Sequence, residues 1–470
     1  MMRSTTTAPG PSRRTVLGAL AAVGAPLVGR AAPLRRVVVI GGGMAGVACA
    51  WLLDGLCDVV LVEAAAELGG NVRGVELEID GHPYAVDAGA QYFHPGPYPA
   101  YVQLLETLGL YPPATGGSHA FAASITLAEP SEGYPRFVSP VLPGRGWPLL
   151  AAWNRPGLQA FNRAFSAASR REERDASWQL ALGDWLPTLG LDAAQWEGMI
   201  LPWAASILSG DIEQARSVSA RSAMIFAAKA LPPAATDPIL YYVVEQGMGE
   251  VLRRMAAQFT TVQVMTGTAV SGVARDGAGG FLVQAGAGPA LQADDVVFAA
   301  SGPPTLGLLA GVSGTGALRA ALQQIEFFDA RLMLHTDPAY APADQKYWSF
   351  LNCQVQGGTC EASMWLAKVL TPPPGANPPN LWKSWVTHRM ALPSQIVHEA
   401  SYRHLLPTPA TIRAQSLLRA AQGRDGVWIA GGYTHPFDAQ ETALLSAMDV
   451  AAGIGAASSA RLRALRRSGG

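Results

Sequence analysis

The chain has 470 residues and a formal net charge of −1, with 49 % hydrophobic and 15 % charged residues. Globular proteins carry roughly 25 % charged residues, so this chain has the apolar surplus for a large core and, by length, for two or three domains. No Lys/Arg run interleaved with aromatics occurs, which argues against a nucleic-acid partner, and four cysteines are too few for a disulfide scaffold.

In chain order, Arg13-Arg14 precedes a weakly apolar run over residues 16–28, followed by the small residues Gly29, Ala31 and Ala32. This is the three-part layout of a signal peptide, and the paired arginines resemble a twin-arginine export signal. Residues 1–33 are therefore expected to be an address recognised by the twin-arginine export machinery, with cleavage near Ala31 and a periplasmic or extracellular destination. A basic tail or an uncleaved anchor are the alternatives. No later stretch is apolar for 18 residues, so no internal membrane span is expected.

Arg36-Val37-Val38-Val39-Ile40 reads as a parallel strand buried on both faces. It runs into Gly41-Gly42-Gly43-Met44-Ala45-Gly46, which fits G-x-G-x-x-G, and then into a helical pattern. A second strand, Val59-Val60-Leu61-Val62, ends at Glu63. Each part has a task in dinucleotide binding. Gly41 permits the tight turn, Gly43 admits the pyrophosphate, and Gly46 lets the helix pack against the strand. Met44 and Ala45 open the helix whose N–H groups face the phosphates. Glu63 stands where an acid binds ribose hydroxyls.

Further on come Gly69-Gly70-Asn71-Val72-Arg73 and Val86-Asp87-Ala88-Gly89-Ala90-Gln91-Tyr92. Helical patterns cover Tyr101 to Leu105 and residues 220–230. Thr266-Gly267-Thr268-Ala269-Val270 precedes a strand pattern, and residues 293–300 and 331–335 read as strands. Proline- and glycine-rich loops are expected at 142–147 and 370–379. Cys353 and Cys360 flank Gln356-Gly357-Gly358; a two-residue hairpin loop would set them opposite one another, as a disulfide in an oxidising compartment or as two reduced thiols. His398 and His404 show no metal-ligand spacing, and no G-x-S-x-G occurs. Near the end, Val427-Trp428-Ile429-Ala430 reads as a strand, followed by Gly431-Gly432-Tyr433 and a helix over about 440–450.

Together these segments resemble the flavin-containing amine oxidase and phytoene desaturase superfamily, from Arg36 to Gly453. Leu334-His335-Thr336-Asp337, Tyr347-Trp348-Ser349-Phe350 and Asn352 are nearer still to a branch of predicted NAD/FAD-binding proteins. The resemblance implies an α/β fold: a Rossmann-type FAD-binding domain (34–97, 246–324 and 416–458) with a mixed-sheet plus helical substrate domain (98–245 and 325–415), then a tail (459–470). It implies one FAD, with no covalent link evident, and a small-molecule substrate, apolar in the desaturase-like case. Gly70, Asn71, Arg73, Ala90, Gln91, Tyr92, Val270, Gly432, Gln440 and Glu441 join the motif residues as cofactor contacts. Asp438 and Glu441 are candidates for the carboxylate that the family places where Gly432 stands. Many amine oxidases hold a water near the flavin with a strand lysine; by the nearest match, within the stretch 327–333, Arg331 stands in that place. Trp348 and Tyr433 are the candidates nearest the ring. The implied activity is hydride removal from a C–H bond, in a desaturase of apolar substrates or an amine oxidase. A binding protein that lost its chemistry and an NAD-dependent dehydrogenase are the alternatives. Oligomeric state is left open.

Overall fold

The computed structural model describes residues 34–72, 74–139, 152–174, 177–232 and 237–466. The expected export signal, the 142–147 loop and Arg73 lie outside them. The strand Arg36–Ile40 forms where read, with Val37, Val38 and Val39 at most 1 % exposed. It is the centre of a five-stranded parallel sheet in the order Val427–Ile429, Asp295–Phe298, Arg36–Ile40, Asp58–Val62, Gln263–Met265. Strands from both ends of the sequence are thus near neighbours. Parallel strands covered by helices on both faces need largely apolar side chains, which is the composition of the inner strands, while the edge strand Gln263–Met265 is largely exposed.

The helix Met44–Leu53 follows the glycine turn, and all ten of its residues are buried. It packs on the C-terminal helix Gln440–Ile454, so it has no need of a polar face. Asp54 ends the first helix. Its carboxylate accepts from the N–H and hydroxyl groups of Thr260 and Thr261 at 2.9–3.1 Å and from Arg461 Nη1 at 3.3 Å. Burial alone would raise this carboxyl, but the donors of Thr261 and Thr260 overrule it and hold it at about 2. A folded-state value below the unfolded one means stability that is present above the unfolded value and lost as pH falls through the folded one. Asp54→Ala is expected to cost about 1–3 kcal/mol in urea unfolding at neutral pH. That difference should shrink as the pH approaches 2.

The second large sheet has seven strands in the order Ile396–Leu405, Phe327–His335, Trp382–Trp385, Thr359–Trp365, Leu351–Gln356, Ile125–Ala128, Phe137–Val138. It is mixed, because Leu351–Gln356 runs parallel to Ile125–Ala128 and the other pairs are antiparallel. Arg155–Arg174, Leu201–Leu208 and Ala220–Lys229 are helices beside it. The fold is therefore mixed α/β, as expected. No helix among the described residues is long and apolar enough to cross a membrane.

The hairpin register corrects the cysteine reading. The loop is Gly357-Gly358, so Gln356 pairs with Thr359, Val355 with Cys360, and Cys353 with Ala362. The two thiols sit diagonally rather than opposite, and both are free and buried.

Candidate active site

A cavity of about 730 Å3 lies where the carboxyl ends of the parallel strands meet the seven-stranded sheet. One end is a cradle made of backbone. Gly41 has φ +114°, and a Cβ there would lie 2.7 Å from the Ala299 carbonyl oxygen. A Cβ on Gly46 would lie 1.8 Å from the Gly41 carbonyl oxygen, so only glycine lets the helix approach the turn. Gly43 and Gly70 nearly touch, since a Cβ on Gly70 (φ +55°) would meet Gly43 Cα at 3.0 Å. Glu63 fixes the turn through Oε2, which accepts the Gly42 N–H at 2.6 Å, while Oε1 accepts the Ala65 N–H at 2.7 Å.

This cradle gathers most of the expected cofactor contacts. Gly41, Gly43, Met44, Ala45, Glu63, Gly70, Asn71, Ala90, Gln91, Tyr92, Val270, Gly432 and Gln440 all line the cavity. The first residues of both Met44–Leu53 and Gln440–Ile454 are among them, so two helix N-termini from opposite ends of the chain face one space. Each carries unpaired N–H groups and a partial positive charge. A dinucleotide needs a close backbone approach for its pyrophosphate and an acid for a ribose; Gly43 and Glu63 supply both, so the residues fit FAD.

Several expectations are corrected. Gly46 does not line the cavity; its role is the close packing described above. Glu441 turns away from the cavity, and its carboxylate accepts the N–H groups of Tyr101 at 2.7 Å and Ala100 at 3.2 Å at the start of the helix Pro99–Thr107. Burial pushes that carboxyl up to about 7 against the pull of those two N–H groups. Asp438, not Glu441, lines the cavity, with Oδ1 3.3 Å from where a Cβ on Gly432 would be. Trp348 is a packing residue: its Nε1 donates to the Pro342 carbonyl at 2.7 Å, and its ring packs edge-on against Trp365 and Trp382. Tyr433 does line the cavity, but its hydroxyl donates to the Ala300 carbonyl at 3.2 Å, beside the nucleotide cradle.

Arg331 also lies outside the cavity. It is exposed and pairs with Glu399 at 2.8 Å. The cause is strand parity. Leu332 pairs with Trp385 and Leu334 with Lys383, so these four share the face that looks into the cavity; Arg331, one position off, faces the other way. The cavity's amine is Lys383, from the neighbouring strand. It is 2 % exposed, and Nζ donates to the carbonyls of Asp87 at 2.9 Å and Gly89 at 2.5 Å and to Gln91 Oε1 at 3.3 Å. Burial lowers its ammonium while the Asp87 carboxylate raises it, and burial dominates. The signal available in the sequence was a lone cation inside Leu381-Trp382-Lys383-Ser384-Trp385-Val386.

Trp385, Tyr402 and His404 join Lys383 on that face and line the cavity. Burial holds His404 below the usual imidazole range, partly offset by Asp438. Beyond Lys383 the wall is apolar. Tyr92 meets Phe121, Tyr241 and Phe350 edge-on at 6.3, 5.4 and 5.8 Å, and Ile125, Phe165, Trp203, Phe226 and Met364 continue it. Burial pushes the Tyr92 phenol up to about 12 and Tyr241 higher, so both are neutral in this arm.

A family model described as flavin containing amine oxidoreductase matches residues 44–321. A sequence search of curated proteins finds no match. Among solved structures, putrescine oxidase bound to putrescine is similar over 89 % of this chain and 98 % of its own, at 17 % identity and a TM-score of 0.60. Cyclohexylamine oxidase from Brevibacterium oxydans IH-35A is similar over 90 % and 99 %, at 15 % identity and a TM-score of 0.57. A CLA-producing fatty acid isomerase from P. acnes is similar over 88 % and 97 %, at 14 % identity and a TM-score of 0.59. At these identities the likeness is one of fold. The family match spans more than half of the chain, and on that ground the chain belongs to the flavin-containing amine oxidoreductases and is a FAD-dependent oxidoreductase.

Proposed function

We propose that this protein oxidises an apolar, uncharged organic substrate by removing hydride from a C–H bond, with FAD held non-covalently. The observation that carries this reading is the wall beyond Lys383. It is built mainly from aromatic and aliphatic side chains, with the uncharged Ser124, Ser209 and Ser222 among them, and the carboxylates that line the cavity, Glu63 and Asp438, stand with the cradle and with Gly432. A permanent cation placed in that arm would lose its hydration and gain no counter-charge, at a cost of several kcal/mol. Apolar surface placed there gains about 25 cal/mol per Å2.

When bound, FAD supplies the hydride acceptor. The chain supplies the rest. Gly41, Gly43 and Gly70 let the backbone close on the nucleotide, and Glu63 offers its carboxylate to ribose hydroxyls. The aromatic arm excludes water and orients the substrate. Lys383 sits where a proton leaving the substrate can be taken up. With a non-covalent cofactor, acid precipitation should leave the yellow colour in the supernatant.

A second reading, oxidation of a C–N bond in a neutral amine, is favoured by Lys383 itself, since a lysine in the cavity is the amine-oxidase feature that Arg331 failed to supply. Anaerobic mixing decides between the two. Apolar lipids are expected to bleach the flavin and simple alkylamines to leave it yellow; bleaching by amines alone would overturn the first reading. We further propose that residues 1–33 direct twin-arginine export, on the strength of Arg13-Arg14 and the apolar run after them; an Arg13→Lys/Arg14→Lys variant should be retained in the cytoplasm.

A further inference from the structure

Behind Lys383 lies a second, polar pocket of about 170 Å3, room for several water molecules. Asp87 lines this pocket, Lys383 lines the main cavity, and Gln91 lines both. At the pocket's mouth His119 Nδ1 and Glu245 Oε1 are 2.7 Å apart, with side chains 29 % and 33 % exposed. Thr371 donates to Glu245 Oε2 at 3.3 Å. At the inner end Asp87 is 5 % exposed. Its Oδ1 accepts the Met248 N–H at 2.9 Å, while Oδ2 has no donor among the described residues. Gly247, with φ +75°, brings the chain against this carboxylate; a Cβ there would lie 2.9 Å from Oδ1.

The hydrogen bonds of Lys383 show where its labile proton points. An ammonium has three N–H groups and a neutral amine two. The two short bonds go to the carbonyls of Asp87 and Gly89, and the long one goes to Gln91, the side chain shared by both spaces. The groups facing Asp87 are Lys383 from the large sheet, Tyr101 from the helix Pro99–Thr107, Tyr84 from its own hairpin, and His119 and Glu245 at the mouth.

We propose that Asp87 and the pocket behind it are the route by which the proton released in the reaction leaves the closed cavity for solvent. The inference rests on the reading of Lys383 given above. Oxidation removes two hydrogens, one of them as a proton. Lys383, in its neutral form, takes that proton and forms its third N–H bond. The ammonium N–H then breaks as an O–H forms on Asp87 Oδ2 through water at Gln91, the side chain common to both spaces. Asp87 returns the proton to the pocket waters, and His119 and Glu245 pass it out. One proton enters the route, one leaves, and no electrons move along it. Burial raises the Asp87 carboxyl and lowers the Lys383 ammonium, so their affinities for the proton move toward one another.

The test uses the flavin-loaded protein. Wild type, Asp87→Asn, Ala85→Leu and Lys383→Met are compared for proton release, followed with a pH indicator in stopped flow beside flavin bleaching. Asparagine keeps an acceptor for the Met248 N–H. Ala85 lines only the polar pocket, so leucine there displaces water without touching the cavity. Both are expected to keep their flavin and to slow proton release by about 100-fold for Asp87→Asn and about 10-fold for Ala85→Leu. Infrared difference spectra on photoreduction, without substrate, should show a deuterium-sensitive protonated-carboxyl band in wild type that Asp87→Asn lacks. Should Asp87→Asn not fold, Ala85→Leu and the wild-type infrared band decide. Wild-type proton release in the pocket variants, with Lys383→Met slowed, overturns the route and leaves the lysine's role standing. Wild-type rates in all three overturn both.

Discussion

Lys383→Met is expected to give a folded, yellow protein whose substrate-driven bleaching is slower by about 10²–10⁴-fold, the range for loss of a positioned acid or base. Methionine keeps the apolar stem and removes a buried amine, so the strand Trp382–Trp385 keeps its packing. What is lost is the donor to the carbonyls of Asp87 and Gly89 and to Gln91, and with it the group proposed to take up the proton. Arg331→Ala is the paired control. Its guanidinium is in water and its partner is a surface carboxylate; exposed pairs contribute about 0–1 kcal/mol, so bleaching should stay within about threefold of wild type. Rapid-mixing absorbance with a circular-dichroism check reads both. A slow Arg331→Ala beside a normal Lys383→Met would reverse the assignment.

Gly43→Val should separate the cofactor from the fold. A Cβ on Gly43 meets only Gly70 Cα, at an ordinary 3.7 Å, and Gly43 has φ −79° and ψ −174°, which a β-branched residue adopts freely. The protein should therefore fold. The valine methyls, however, would project into the cavity where the glycine turn is expected to hold the pyrophosphate. Overpacking of about 1–3 kcal/mol predicts a flavin affinity lower by about 10- to 100-fold, seen as a protein that purifies pale and takes up added FAD weakly. Gly46→Val is the opposite case. Its Cβ would overlap the Gly41 carbonyl at 1.8 Å, so thermal stability should fall whether or not flavin is present.

The nucleotide half of the site was legible in the sequence because each of its demands is local. A buried strand, three glycines, a helix and a second strand ending in Glu63 are contiguous, and each glycine answers a backbone constraint that no side chain relieves. The return of Gln440–Ile454 to the same space was implied by the family resemblance of its strand, glycine pair and helix, and the local pattern alone does not require it. Misreadings arose where a side chain's direction mattered. Glu441 and Asp438 lie three residues apart near the same helix start, and only the packing of Pro99–Thr107 shows which one is used as a cap.

The reacting half was hidden for the same reason on a larger scale. The family resemblance along one strand pointed to Arg331, yet a strand alternates its faces at every residue, and a shift of one position moves a side chain from cavity to solvent. Whether Arg331 or Lys383 enters the site depends on how Phe327–His335 and Trp382–Trp385 pair, across about fifty residues of intervening chain. The sequence by itself determined the cofactor cradle, because backbone geometry is written in neighbouring residues. Only the tertiary structure decided which amine faces the cavity and which acid lies behind it, because register between distant strands is set by the packing of the whole sheet.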